Sequence, residues 1–192
     1  MATDTVPAES VAQPLRRLYF VRFAFAIVWA ALLFVTASRL GPVSVALLVL
    51  YPLFDVAAAV IDARTAKAGK PVLALYVNAV ISLLAGAGLA FAASGGIPDV
   101  LRVWGSWAIA AGVVQLVVAV VRRGLGGQWP MILSGAISVL AGTSFIIQAT
   151  MDGASLKSLA GYATLGGIFF LVSAVRLGRK QGRTLTRQSR RS

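Results

Sequence analysis

Long apolar stretches alternate with short polar breaks along most of the chain, from residue 18 to residue 177. Each stretch is long enough to cross the hydrocarbon core of a bilayer as a helix, which takes about 20 mostly apolar residues. The pattern therefore predicts six transmembrane helices. Their predicted ranges are 18–37, 43–61, 72–93, 99–121, 130–149 and 155–177.

The breaks between these stretches read SRLGP, DARTAKAGKP, SGGIPD, RRGLGGQWP and MDGAS. Gly, Pro and charged residues are typical of short connections, and none of the breaks has room for a soluble domain. The sequence thus predicts an all-α membrane protein with one membrane domain over 18–177. It also predicts a disordered cytoplasmic arm at 1–17 and a basic cytoplasmic tail at 178–192.

Composition supports a membrane protein and narrows the chemistry. Hydrophobic residues make up 58% of the chain and charged residues only 12%, whereas soluble domains are about a quarter charged. The chain has no cysteine and no histidine, which removes disulfides, thiolate nucleophiles, imidazole catalysis and the usual zinc sites. Phosphate-binding loops and nucleophile elbows are also absent from the sequence. We therefore expect no enzyme activity, no metal and no cofactor.

The net charge of +12 is distributed unevenly between the two sides of the predicted helices. Fifteen of the eighteen Lys and Arg residues belong to one side: the N-terminal arm with the first turn of helix 1, the second and fourth loops, and the tail. The loops of the opposite side hold only three, which are Arg39, Arg102 and Lys157. Positive residues favour the cytoplasmic side, so both termini are predicted there, in a bacterial plasma membrane. We interpret the basic charge as contact with anionic lipid headgroups, and expect no nucleic acid partner.

Three tryptophans lie near the ends of predicted spans. These are Trp104, Trp107 and Trp129. Tryptophan is enriched where a helix leaves the hydrocarbon for the headgroup region. The sequence therefore predicts that all three belong to an aromatic belt at the membrane surface.

The apolar stretches also repeat. VISLLAG at 80–86 recurs as AISVLAG at 136–142, a shift of 56 residues. One such unit is a helical hairpin followed by a basic return, so the pattern predicts three hairpins in parallel repeat, of which the N-terminal copy is the most diverged.

Small residues recur every four positions in two of these helices. Ser82 and Gly86 lie on one stripe, and Ser134, Ser138 and Gly142 lie on the matching stripe two helices later. Small residues at this spacing let helix backbones approach closely in lipid. We interpret these five residues as helix-packing residues, with a pore lined by serines as the alternative.

The segment WGSWAIAAGVVQLVVAVVRRGLGGQWPMILSGAISVLAG, residues 104–142, combines several features. A helix ends in a basic pair, which is followed by a Gly-rich loop and a tryptophan. The next helix contains the motifs Ser-Gly-Ala and Leu-Ala-Gly. In this the chain resembles the HdeD-like membrane proteins, a family of short two-helix repeats, and the likeness extends over about 18–179. The resemblance implies a non-enzymatic membrane protein that contributes to acid or envelope stress tolerance. It implies no site residue.

One acidic residue lies inside a predicted span. In LYPLFDVAAAVIDAR, residues 50–64, Asp55 is about two turns from the cytoplasmic end of helix 2. An ionised carboxylate in hydrocarbon costs about 2.5–3.5 kcal/mol on insertion scales, so it must be paired, protonated or hydrated. Arg22, Asn78 and Gln115 are candidate partners at a comparable depth, and Asp62 lies on the same helix face nearer the water. We predict that these five residues form an intramembrane polar cluster.

Two interpretations of this cluster stay open. In the structural one, Asp55 and Arg22 form an ion pair that fixes the packing of the first hairpin. In the proton-handling one, Asp55 gains and loses a proton and so senses acid or relays protons. The alternatives to a stress protein are accordingly a small proton-linked transporter or channel acting as a homo-oligomer, and a structural partner subunit.

Overall fold

A computed structural model describes residues 9–65, 72–121 and 129–189 of the chain. These residues form an all-helical fold that contains no strand. The helices are α1 (Glu9–Thr36), α2 (Pro42–Thr65), α3 (Val72–Ala92), α4 (Ile97–Val121), α5 (Trp129–Gln148) and α6 (Lys157–Ser189), with one 3₁₀ turn at Ala93–Gly95.

All six helices contain a segment long and apolar enough to cross a membrane, so the predicted membrane fold is confirmed. The candidate spans are Arg16–Thr36, Pro42–Arg64, Val72–Gly95, Ile97–Val121, Trp129–Gln148 and Lys157–Arg176. The largest difference from the prediction is at the two ends of the chain. α1 begins at Glu9, inside the predicted arm, and α6 continues through most of the predicted tail to Ser189. Residues 1–8 and 190–192 lie outside the described part of the chain.

Proline and glycine mark several of the helix ends. α2 begins at Pro42, and Pro130 is the second residue of α5, which suits a residue whose missing N–H has no partner in a first turn. Gly96 and Gly153 have φ angles of 92° and 80°, a conformation that L side chains rarely adopt. These two glycines therefore allow the sharp turns that lead into α4 and α6.

The helices close into a ring. Each helix contacts the helix before it and the helix after it in the chain, and α6 contacts α1. The most extensive contacts are α4 with α5, α1 with α6 and α2 with α3, while α5 and α6 contact each other least. The tightest pairs thus join one predicted hairpin to the next, and the three-hairpin repeat stays a prediction.

The two ends of the ring differ in what fills them. We call the end where the first span begins and the last span finishes the terminal side. On the opposite side an apolar layer closes the interior, and its fully buried members are Trp29, Leu33, Leu48, Leu89, Val100, Leu101, Trp104, Leu156 and Leu159. The rings of Trp29 and Trp104 stack within this layer, with centroids 5.3 Å apart.

The aromatic-belt prediction was wrong for two of the three tryptophans. Trp104 is 0% exposed and Trp107 is 9% exposed, because both point into the ring and not towards lipid. Position along the sequence gives the depth of a residue in the membrane, whereas the rotation of its helix decides which way it faces. Trp129, at the start of α5, is 79% exposed and can lie at a membrane surface.

Candidate functional site

Asp55 on α2 binds side chains from two neighbouring helices. Its Oδ1 atom forms an ion pair with Nη2 of Arg22 on α1. Its Oδ2 atom accepts hydrogen bonds from Nδ2 of Asn78 at 2.8 Å and from Oγ of Ser82 at 2.9 Å, both on α3. One carboxylate therefore ties α1, α2 and α3 together.

This carboxylate lies well inside the membrane domain. Asp55 lies nine positions before Arg64 at the end of its span, which corresponds to about 13 Å along a helix. The side chains of Asp55 and Arg22 are 15% and 17% exposed. Three donors, one of them the Arg22 cation, compensate the cost of holding a carboxylate at this depth.

Arg22 also contacts an aromatic ring on α6. Its guanidinium carbon lies 4.4 Å from the centroid of the Phe170 ring on α6. A cation over an aromatic face is attracted by the ring quadrupole, and Arg is the residue most often found there. Arg22 thus connects the Asp55 cluster to the α1–α6 pair.

Ser82 carries the cluster on to α4. Its side chain is fully buried, it donates to Asp55, and it accepts a hydrogen bond of 3.1 Å from Nε1 of Trp107. The sequence pattern predicted only a packing role for Ser82 and neither of these bonds. The available signal was its position one turn after Asn78, which gives the two residues the same helix face.

A central cavity of about 340 Å³ lies beside the cluster. All six helices contribute to its wall, from Trp107 near mid-span to Asp62 towards the terminal side. Gln115 and Asp62 both line it, so every member of the predicted polar cluster faces one space. Gln115 makes no side-chain hydrogen bond within the described ranges and is not bonded to Asp55. Eight of the lining side chains are aromatic: Tyr19, Phe25, Tyr51, Phe54, Trp107, Tyr162, Phe169 and Phe170.

The predicted packing residues divide between this cavity and the helix interfaces. Ser134 and Ser138 line the cavity, and Ser138 accepts a 2.8 Å hydrogen bond from the Tyr162 hydroxyl. Gly86 lies against Pro52 and Leu53 of α2, where an added Cβ would make ordinary contact at 3.5 Å. Both serines therefore face the interior of the ring, and Ser138 also lies at the α4–α5 interface, where a Cβ added to Gly112 would be 2.9 Å from its own Cβ.

Gly142 takes part in a close contact between α4 and α5. A Cβ on Gly142 would lie 2.5 Å from the carbonyl oxygen of Gly105, and one on Gly105 would lie 2.6 Å from that of Gly142. Gly112 and Gly135 form a second pair of the same kind. Of these four glycines, only Gly142 was predicted from the sequence as a packing residue, although each helix spaces its two glycines seven residues apart.

The repeat shift of 56 residues relates three polar positions in this site. It carries Arg22 onto Asn78 and Asn78 onto Ser134. These residues lie on α1, α3 and α5, and all three line the cavity. The first two bind Asp55, whereas the third faces the cavity from the other side of the ring.

The chemistry available at this site is binding by charge and hydrogen bonds. Within the described ranges, no three acidic, histidine or cysteine side chains gather as they would around a metal ion. The cavity offers an ion pair, hydroxyl and amide groups, and a largely apolar wall that includes aromatic side chains. This combination suits recognition of a small molecule by charge and hydrogen bonds.

Comparison of the chain with protein-family models, with curated proteins and with solved structures finds no match. The fold and the site define an integral membrane protein with six helices long and apolar enough to cross a membrane, around a cavity whose wall holds a polar cluster.

Proposed function

We propose that this protein is a non-enzymatic membrane protein that contributes to acid or envelope stress tolerance, with the Asp55 cluster as its working part. The observation that carries the proposal is that one carboxylate holds both α1 and α3. A proton on that carboxylate would cancel the negative charge that Arg22 binds. A single protonation would then weaken the connection among three helices, which is a simple way for a membrane protein to respond to acid.

The resemblance of residues 104–142 to the HdeD-like proteins supports the same role. We place the protein in the bacterial plasma membrane with both termini in the cytoplasm. An even number of spans puts the two ends of the chain on one side, and most of the basic residues lie there. The basic segments would contact anionic headgroups, and the exposed apolar helix faces leave room for a homo-oligomer.

The site also supports a role without catalysis. Asp55 already has three donors, which makes it a poor general base. Asp62, the second acid at the cavity, lies seven residues further along the same helix, about two turns nearer its end. The two carboxylates are thus not placed to act as an acid–base pair on one bond.

A proton-linked transporter or channel is the second candidate. The observation in its favour is a cavity that reaches mid-span from one side, as substrate sites of carriers do. The apolar layer on the opposite side argues against a continuous path, because Trp29, Leu33 and Trp104 fill the interior there. We therefore favour the stress role over transport.

Two measurements separate these candidates. The first is proton flux into liposomes that contain the purified chain, read with an internal pH dye. We expect no flux from the native chain or from Asp55→Asn. Flux from the native chain that disappears in Asp55→Asn would favour the transporter.

The second measurement is survival of cells after acid challenge. Cells that lack this protein should lose survival, and the native chain should restore it while Asp55→Asn does not. Asp99→Asn is the matched control, because Asp99 pairs with Arg102 on an exposed surface. Full restoration by Asp55→Asn, or no loss without the protein, would refute the proposal.

A further inference from the structure

One part of the cavity wall carries a positive and a negative side chain that neutralise each other. Arg22 and Asp55 pair with each other, and Asn78 and Ser82 complete the bonds of the carboxylate. A charged ligand group would have to replace one of these partners to find its own counterion. Burying a charge without a partner is costly, so this part of the wall does not favour a charged head group.

The part of the wall formed by α4 and α5 carries uncharged polar side chains, and two of them are not bonded to other side chains. Gln115 and Ser134 both line the cavity, and neither side chain makes a hydrogen bond within the described residues. An amide offers two donors and an acceptor, and a hydroxyl offers one donor and two acceptor lone pairs. Their complement is a neutral group that both donates and accepts, such as a hydroxyl or an amide.

The remaining wall is mostly apolar, apart from Tyr19, Asp62 and Tyr162, and it is closed least tightly between α5 and α6. These two helices contact each other least of all neighbours in the ring. The bonds that join them, Tyr162 with Ser138 and Ser158 with Gln148, lie at mid-span and on the opposite side. Towards the terminal side, Gly166 lines the cavity, and a Cβ added there would meet nothing within 4 Å.

We propose that the cavity binds a neutral amphiphile from the bilayer, with its hydroxyl or amide head at Gln115 and Ser134. Its apolar chain lies along the aromatic wall and leaves between α5 and α6. The cavity volume of about 340 Å³ falls in the range of small-molecule sites, about 300–1,000 Å³. This proposal does not rest on the stress role.

The test uses a monoacylglycerol with a dibrominated chain as the probe, because bromine quenches nearby tryptophan. The full chain is reconstituted in nanodiscs with Trp129→Phe, which removes the lipid-exposed tryptophan and leaves Trp107 on the cavity wall. We expect quenching that saturates as the probe is added. Brominated stearate and a brominated alkylammonium should quench more weakly at equal membrane content.

Two glycines of α6 give a matched pair of variants. Gly166→Leu fills the cavity, whereas Gly161→Leu adds the same side chain at an exposed position that also has open space and does not line the cavity. The first should weaken probe binding about tenfold or more, as expected when a ligand's space is filled, and the second should leave it unchanged. Gln115→Leu keeps the fold and removes one hydrogen bond, so it should weaken binding about fivefold.

Three outcomes would overturn the proposal. The first is quenching that does not saturate, since this would mean only dissolved probe in the lipid. The second is equal binding by Gly166→Leu and Gly161→Leu, and the third is tighter binding of a charged probe. None of these outcomes depends on acid survival, so this proposal can fail while the stress role stands, and the reverse also holds.

Discussion

The α2–α3 and α4–α5 interfaces take corresponding places in the ring, because each joins an even-numbered helix to the next helix across a terminal-side loop. Polar bonds hold the first of them. Asp55 reaches across to Asn78 and Ser82, and the nearest glycine, Gly86, makes only ordinary van der Waals contact.

Backbone contact holds the second interface. Gly105 faces Gly142, and Gly112 faces Gly135, so closely that no Cβ would fit at any of the four positions without a shift. The repeat shift of 56 places Ala111 where α2 has Asp55. In lipid, where apolar burial gives little drive for association, helices rely on polar bonds or on close packing. The α2–α3 interface relies on polar bonds, and the α4–α5 interface relies on close packing.

Asp55→Ala should destabilise the protein more than any other single substitution proposed for these two interfaces. It leaves Arg22 in the membrane domain without its partner, and removal of one member of a buried pair costs about 3–5 kcal/mol. Unfolding in mixed detergent–SDS micelles measures this loss. Asp99→Ala is the control, since the Asp99–Arg102 pair is 45% and 51% exposed and should contribute less than about 1 kcal/mol. Equal losses would contradict a special role for the Asp55 pair.

Gly142→Ala should disrupt the packed interface by a smaller amount. The added Cβ meets the backbone oxygen of Gly105, and overpacking of this kind costs about 1–3 kcal/mol. Gly161→Ala is the matched control, because its Cβ would have open space and alanine is the better helix former by about 1 kcal/mol. The two substitutions should therefore shift the unfolding free energy in opposite directions. A gain from both would mean that helix propensity, and not the α4–α5 contact, decides the effect at Gly142.

Ser82→Ala should weaken the polar interface only modestly. The change removes one of three donors to Asp55 and leaves Nε1 of Trp107 without its acceptor, a loss of about 1 kcal/mol. Ser106→Ala is the control, because the Ser106 hydroxyl is exposed and bonds only to the backbone of Arg102. A loss from Ser82→Ala no larger than that of the control would show that the Trp107–Ser82–Asp55 chain adds no stability.

The polar interface could be predicted from the sequence more completely than the packed one. A lone acid inside an apolar stretch requires partners, and helix spacing alone limited the candidates to a few side chains at its depth. Arg22 and Asn78 were found in this way. Gln115 was placed at the right depth, but it is not bonded to Asp55, because depth does not determine the rotation of α4.

The packed interface gave a weaker sequence signal. Glycines are frequent in membrane helices, and the stripe through Ser134, Ser138 and Gly142 resembled a packing face. In the structure the serines line the cavity, while Gly135 and Gly142 approach α4. Trp104 and Trp107 illustrate the same limit. Which helix face turns inwards depends on all six helices together, so spacing within one helix does not determine it.

Replacing both charges together should change stability little, and it gives the sharpest test of the comparison. In Arg22→Leu/Asp55→Leu no charge stays buried without a partner, and apolar replacement of a buried ion pair is often neutral or stabilising. We expect an unfolding free energy within about 1.5 kcal/mol of the native chain, although Asn78 and Ser82 lose their acceptor.

Such a result would mean that α2 and α3 can be held without charge, much as α4 and α5 are. The ion pair would then be kept for what it does in the cavity, and acid survival of the double variant should still be lost. A double variant as unstable as Asp55→Ala would instead make the pair a structural requirement.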